Sequence, residues 1–426
     1  MQSPRRRRPP VSGISLGLFL AAIAALTLGL IDFPRLHSAP ALRPPASQAA
    51  ADRWPAATPN TVRLSGPNVY AAATAITQAT YGATQHEDRP HAVTLVRADR
   101  EADAMLAASR ITHFPVNSPT LYVDADRLPD ETEAELRRLG PDGNTYDSGV
   151  QVYLVGPISR KVEEEVRRKL GYKTRAFRTA DPIPLSEELD DWAAAVHADH
   201  PDEVAIVQYE RLDSGLPSVA WNAHMGDGLL FVVGDSVPEP TRRALSHRFA
   251  GEAFLYLFGD SSIISNRVAR ELSRYGQVQR IPGRDPAEIS ILFAQYRDFG
   301  LDQGYWITYR ARDFGWGITE AGHNFTFVNL DDWQQAVAGA LLSHMGKHGP
   351  MLLLPDGRIP EAMRRYLESV RPALGSPSDQ LTNHGWILGG TDRISYVTQG
   401  DIDALLDASL DSSFTTATTT AAGAAR

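Results

Sequence analysis

PTLYV (119–123), GLLFVV (228–233) and PMLLLP (350–355) are three apolar runs in one chain, and their surroundings match. Each is followed by a proline that opens a helical pattern: LPDETEAEL (128–136), VPEPTRRAL (237–245) and IPEAMRRYL (359–367). Proline costs no hydrogen bond at a first helical turn, because that N–H has no partner anyway. Aligning Pro129, Pro238 and Pro360 brings the three strands into register without a gap. The chain therefore repeats, and the repeat governs how every motif is weighed.

Two further landmarks recur. VYLVGPIS (152–159), LYLFGDSSIIS (255–265) and WILGGTDRIS (386–395) are apolar strands that end at glycine, then turn to a serine. In the first two copies that serine suits a helix N-cap. Gly171 and Gly276 then read as left-handed caps closing those helices. VRLSGPNVY (62–70), AFRTADPIP (176–184) and QRIPGRDPA (279–287) each open a copy with a short strand, a turn and a helix. HAVTLV (91–96), VAIVQY (204–209) and GYWITY (304–309) supply further strands, and an insertion is expected at 317–333. Apolar strands without strict alternation suit parallel sheets covered on both faces. The prediction is an α/β protein of three tandem modules with parallel-rich sheets, at 61–173, 174–277 and 278–410.

The ends read differently. Arg5 to Arg8 precede residues 9–31, which carry no charge. GISLGLFLAAIAALTLGLI (13–31) is long enough as a helix to cross a hydrocarbon core of about 30 Å. Basic residues before the span place 1–12 inside and the body outside. A cleaved signal peptide would have a shorter apolar region with a small-residue site close behind, so an uncleaved transmembrane anchor is the preferred reading. Residues 32–60 are Pro/Ala-rich and read as a spacer, and 411–426 as a disordered tail. The 426-residue chain carries net charge −9 and no cysteine. That charge argues against a nucleic-acid partner. Lack of cysteine removes disulfides, thiolate metal sites and cysteine nucleophiles.

The landmarks resemble the cell wall-binding repeat type 2 family, known for a proline–aliphatic signature. Matching residues are Arg63-Leu64, Gly66, Asn68, Tyr70, Ala73, ADAMLAAS (102–109), Pro119 and Gly156 in the first copy. The second keeps Asp181, Asp213, Leu229-Leu230 and Gly259; the third keeps Arg280-Ile281, Gly283, Asp285, Pro350 and Gly389-Gly390 with Ile394-Ser395. The resemblance implies Toprim-like modules in a pseudo-threefold disc that binds anionic wall polymers non-covalently. The family arginine after Asp/Asn is replaced by Val69, Pro182 and Pro286, which puts the ligand in question.

Polyanion binding needs Arg or Lys aimed at phosphate or carboxylate oxygens. Arg63, Arg97, Arg100, Arg280, Arg310 and Arg312 are the candidates near strand ends; the competing reading places them in internal salt bridges. Asp103, Asp213 and Asp313 read as turn or cap residues. His113, His224 and His344 precede the proline–aliphatic strands, but His344 with His348 offers only two donors on one segment, so no metal is expected. The serine-hydrolase elbow, the paired-histidine zinc motif and the phosphate loop are missing, and no enzyme or cofactor is expected. The resulting expectation is a membrane-anchored wall-binding protein; the alternative is an extracytoplasmic ligand sensor or hydrolase, with His323 and Asn324 of the insertion setting specificity.

Overall fold

The computed structural model describes residues 56–197, 200–248, 253–303, 309–346, 348–372 and 382–408. The expected cytoplasmic segment 1–12, the span 13–31 and the tail 411–426 lie outside the described residues. Among the described residues no helix is long and apolar enough to cross a membrane. Of the expected spacer, the final residues are held to the body: Thr58 Oγ1 and the Asn60 N–H both donate to Asp403.

The apolar runs form three four-stranded, wholly parallel sheets of identical order. The first strand, β1 (Thr61–Leu64), belongs to the last sheet. Sheet 1 contains β2 (Val93–Arg97), β3 (Thr120–Val123), β4 (Val152–Val155) and β5 (Thr174–Phe177), in the order β3-β2-β4-β5. Sheet 2 contains β6 (Glu203–Gln208), β7 (Gly228–Val232), β8 (Ala253–Phe258) and β9 (Gly276–Ile281), ordered β7-β6-β8-β9. Sheet 3 adds β12 (Asn324–Asn329), β13 (Met351–Leu354) and β14 (His384–Leu388), ordered β13-β12-β14-β1. The strand that opens each sequence copy thus completes the sheet of the copy before it, and β1 closes the cycle onto the third.

Composition explains which strands are covered. β3, β7 and β13, the proline–aliphatic runs, are buried at every residue although each is a sheet edge. They are covered by the opening helices of their own copies: α1 (Val69–Thr80), α5 (Pro182–His197) and α9 (Pro286–Gln295). The opposite edges, β5 and β9, alternate between buried and exposed, as half-covered strands do.

Three central helices, α2 (Glu101–Ile111), α6 (Leu212–Met225) and α10 (Trp333–Leu341), each pack against the other two. Small and apolar residues surround them on all sides, so α2 is buried from Ala102 to Ile111 and α6 from Ser214 to Ala223. The remaining helices are α3 (Asp130–Leu139), α4 (Arg160–Lys169), α7 (Glu239–Ser246), α8 (Asn266–Leu272), α11 (Glu361–Ser369) and α12 (Tyr396–Leu406).

Local signals hold in detail, with three corrections. Pro129, Pro238 and Pro360 take nearly one conformation (φ −61°, −62°, −63°), each one residue ahead of its helix, at the N-cap. Ser159, Ser265 and Ser395 all cap, including the third, whose Oγ accepts from the Thr398 N–H at 3.0 Å. Replacing Ser395 by Ala should lower stability by about 1 kcal/mol in urea unfolding; an unchanged midpoint would show that the cap is dispensable.

Gly171 has the expected positive φ of 79°. Gly276 does not cap; it begins β9, where a Cβ would lie 2.1 Å from the Ala253 carbonyl oxygen. The insertion is likewise misplaced. An antiparallel hairpin, β10 (Asp298–Gln303) with β11 (Tyr309–Phe314), is the extra element. Residues 317–333 instead contain β12, the strand equivalent to β2 and β6, so His323 and Asn324 sit at the start of a buried sheet strand.

Candidate functional site

Arginines at the strand ends are held by the fold itself. Arg63 on β1 is buried and donates to Gln399 Oε1 (2.9 Å) and to the Gly389 carbonyl (2.6 Å). Arg280 on β9 donates to the Gly259 carbonyl at 2.7 Å. Their cross-strand partners are Ile387 and Leu257, each two residues before that glycine. Both arginines therefore clip the turn that follows the neighbouring strand. In sheet 1 the same register position is Ala176, opposite Leu154, and no clip of this kind can form there.

Arg97, Arg100 and Arg312 are also engaged. Arg97 chelates Asp99 at 2.9 and 2.6 Å. Arg100 holds the buried Asp103 at 2.8 Å and donates to the Ala180 carbonyl. Asp103 in turn fills the space beside Gly156, whose φ is 83°; a Cβ there would stand 2.3 Å from Asp103 Oδ2. Arg312 pairs with Asp298 at 2.7 Å and lies over the Phe254 ring. Arg310 lies in β11 opposite Asp302.

The three aspartates do not occupy one position. Asp103 is the third residue of α2, Asp213 the second of α6 with Arg211 beside it at 3.1 Å, and Asp313 lies in the hairpin with Arg297. Of the motif residues, Asp285 caps α9 through the Glu288 N–H at 2.9 Å, and Pro350 accepts from the Thr326 N–H in sheet 3. Gly390 accepts from the N–H groups of Arg393 and Ile394.

Uncommitted positive charge lies elsewhere. On α4, Arg160, Lys161, Arg167 and Arg168 are exposed, and no acid pairs with them among the described residues. The corresponding helix beside sheet 2, α8, exposes Arg270, followed by Arg274, neither in a salt bridge among the described residues, while its Arg267 pairs with Asp235. Between α8 and the edge strand β9 runs an open groove of about 560 Å³, lined by Asn266, Arg270, Ser273, Gln279 and Arg280. The third equivalent, α12, carries Asp401 and Asp403 instead. Sequence reading passed over these helices because their Glu/Arg mixture looks like any solvated face; only pairing geometry separates the committed from the free charges.

A second convergence was hidden in the repeat. His113, His224 and His344 lie at the C-terminal ends of α2, α6 and α10, and the mutual packing of those helices brings them together. Ring centroids are 5.3 Å apart for His113–His344 and 6.4 Å for His224–His344. His348 lies 4.4 Å from His224 and His197 5.8 Å from His113. Burial, with mutual repulsion, pushes His113 down to about 3 and His344 and His224 to about 4. Burial together with Arg110 lowers His197 to about 4. For His113, His197, His224 and His344 these shifts favour the neutral ring at pH 7. The signal was present in the nearly equal spacing of the histidines from their helix starts, 12, 12 and 11 residues.

Comparison with known proteins adds to the fold. No known family matches the sequence, and no curated protein does. The chain shares its fold with two solved structures. These are Cwp6 from Clostridium difficile (TM-score 0.61) and Cwp8 from Clostridium difficile (TM-score 0.58). Identity to each is 17%, over 82% of this chain. The match covers 48% of Cwp6 and 52% of Cwp8, so this chain spans about half the length of the structures it matches.

Proposed function

We propose that this is a cell-wall-associated surface protein that grips an anionic wall polymer through the exposed basic faces of α4 and α8. The observation that carries the reading is a set of exposed cations at corresponding edges of sheets 1 and 2, Arg160, Lys161, Arg167 and Arg168 on α4 and Arg270 with Arg274 at α8, in no salt bridge among the described residues, whereas Lys169 and Arg267 of the same helices are paired. A chain of net charge −9 that leaves these cations out of its own salt bridges is arranged to meet an external polyanion. The shared fold with Cwp6 and Cwp8, and the resemblance to the type 2 wall-binding repeat, support the same partner. On this reading the three modules are Toprim-like, residues 13–31 anchor the chain in the membrane, and the body is a binding module that performs no catalysis.

The test is co-sedimentation with purified cell walls, before and after their anionic polymers are stripped, across a salt titration. Retention should require the polymer and weaken with salt. Changing Arg167 and Arg168 together to Glu should lower retention about tenfold or more, since each charge-assisted contact contributes about 1.5–3 kcal/mol. The same exchange at Arg97, already held by Asp99, should change it far less. Equal retention on stripped walls would overturn the reading.

A further inference from the structure

We propose that Asp191, His200 and His247 form a divalent transition-metal site, suited above all to Zn²⁺. One donor atom from each of the three lies within 4.8 Å of the other two. They come from separate places: Asp191 from α5, His200 from the segment before β6, and His247 from the residue that ends α7. His247 Nδ1 is 2.7 Å from Asp191 Oδ1, and His200 Nε2 is 3.8 Å from the same oxygen. Tetrahedral zinc with bonds of about 2.0–2.1 Å holds its donors roughly 3.4 Å apart, so shifts on the order of 1 Å bring these three to an ion.

The second argument is the support behind His200. Its Nδ1 lies 3.1 Å from Asp190 Oδ2, and Asp190 is buried and clamped by Arg248. A carboxylate on one imidazole nitrogen fixes the ring and leaves the other nitrogen directed at the metal, as in carboxylate–histidine–zinc arrangements. Two imidazoles and one carboxylate suit Zn²⁺ over Ca²⁺ or Mg²⁺, which take oxygen donors. Asp191 and His247 are exposed, so the fourth position faces solvent and is open to water or an anionic oxygen. Bound metal would tie α5 to α7, beside the buried Asp190.

The test uses the full-length chain, stripped with a chelator and titrated with Zn²⁺ alone, read by metal retained after dialysis and by thermal unfolding. One ion per chain and a midpoint raised by about 3 °C or more are expected. His247→Gln, on an exposed side chain, should fold normally without metal and bind Zn²⁺ at least about tenfold more weakly. Asp191→Asn should do the same, while His348→Gln, in the histidine cluster at the ends of α2, α6 and α10, should bind as the parent does. No retained zinc at 100-fold molar excess, unaltered binding in both site variants, or loss of binding on changing His348 would each overturn the assignment.

Discussion

Asp190→Ala should lower unfolding free energy by about 3–5 kcal/mol in urea titration, the range for breaking a buried ion pair from one side. Asp190 accepts from both terminal nitrogens of Arg248 at 3.0 Å, with Arg110 Nη2 at 3.5 Å. All three side chains are at most 2% exposed. Burial by itself would raise the Asp190 carboxyl, but Arg248, His200 and Arg110 together hold it well below the usual range. Removing it strands two guanidinium groups in the interior, on α2 and just after α7. Exchanging Asp190, Arg110 and Arg248 together for apolar residues of similar volume should recover part of the loss, because no charge is then left without its partner. A loss below about 1 kcal/mol for Asp190→Ala would show that water reaches the cluster.

Acid should act through the histidines clustered at the ends of α2, α6 and α10. A ring at about 4 in the folded chain and about 6.5 unfolded takes its proton first in the unfolded state. Its contribution is therefore complete above pH 6.5 and is lost as pH falls toward 4. For His344 the loss between pH 7 and pH 5 is about 2 kcal/mol. Other groups titrate in the opposite sense: burial and Asp213 raise Glu101 to about 7, and burial with Glu203 raises Asp227. The informative quantity is thus the stability difference between the parent chain and His344→Gln, in which those groups cancel. That difference should shrink by about 2 kcal/mol from pH 7 to pH 5. A difference flat with pH would mean that His344 keeps an ordinary pKa.

Much of the architecture was legible because it is local. Continuous apolar runs, proline and serine positions and glycine after the strands are statements about a few consecutive residues, and sheets of one order grew from them. Gly276 misled because a glycine needed for close approach to Ala253 and a glycine at a helix end look the same in sequence. The insertion misled because NFTFVN (324–329) has strand composition whichever sheet receives it.

Charge and histidine behaved differently. An arginine near a strand end looks available until its partner is known; Arg63 reaches Gln399, distant along the chain, and Arg280 meets a carbonyl of the turn after the neighbouring strand. The histidines of three copies lie 111 and 120 residues apart and meet only because α2, α6 and α10 share one packing centre. By itself the sequence determined the three repeats, their parallel strands and the caps, because backbone sterics and hydrophobic periodicity act over a few residues. Only the tertiary structure decided that each opening strand completes the preceding sheet, which cations stay unpaired and which titratable groups converge. Those outcomes depend on Coulombic and packing contacts between residues far apart in the chain, and no local pattern encodes the distance between them.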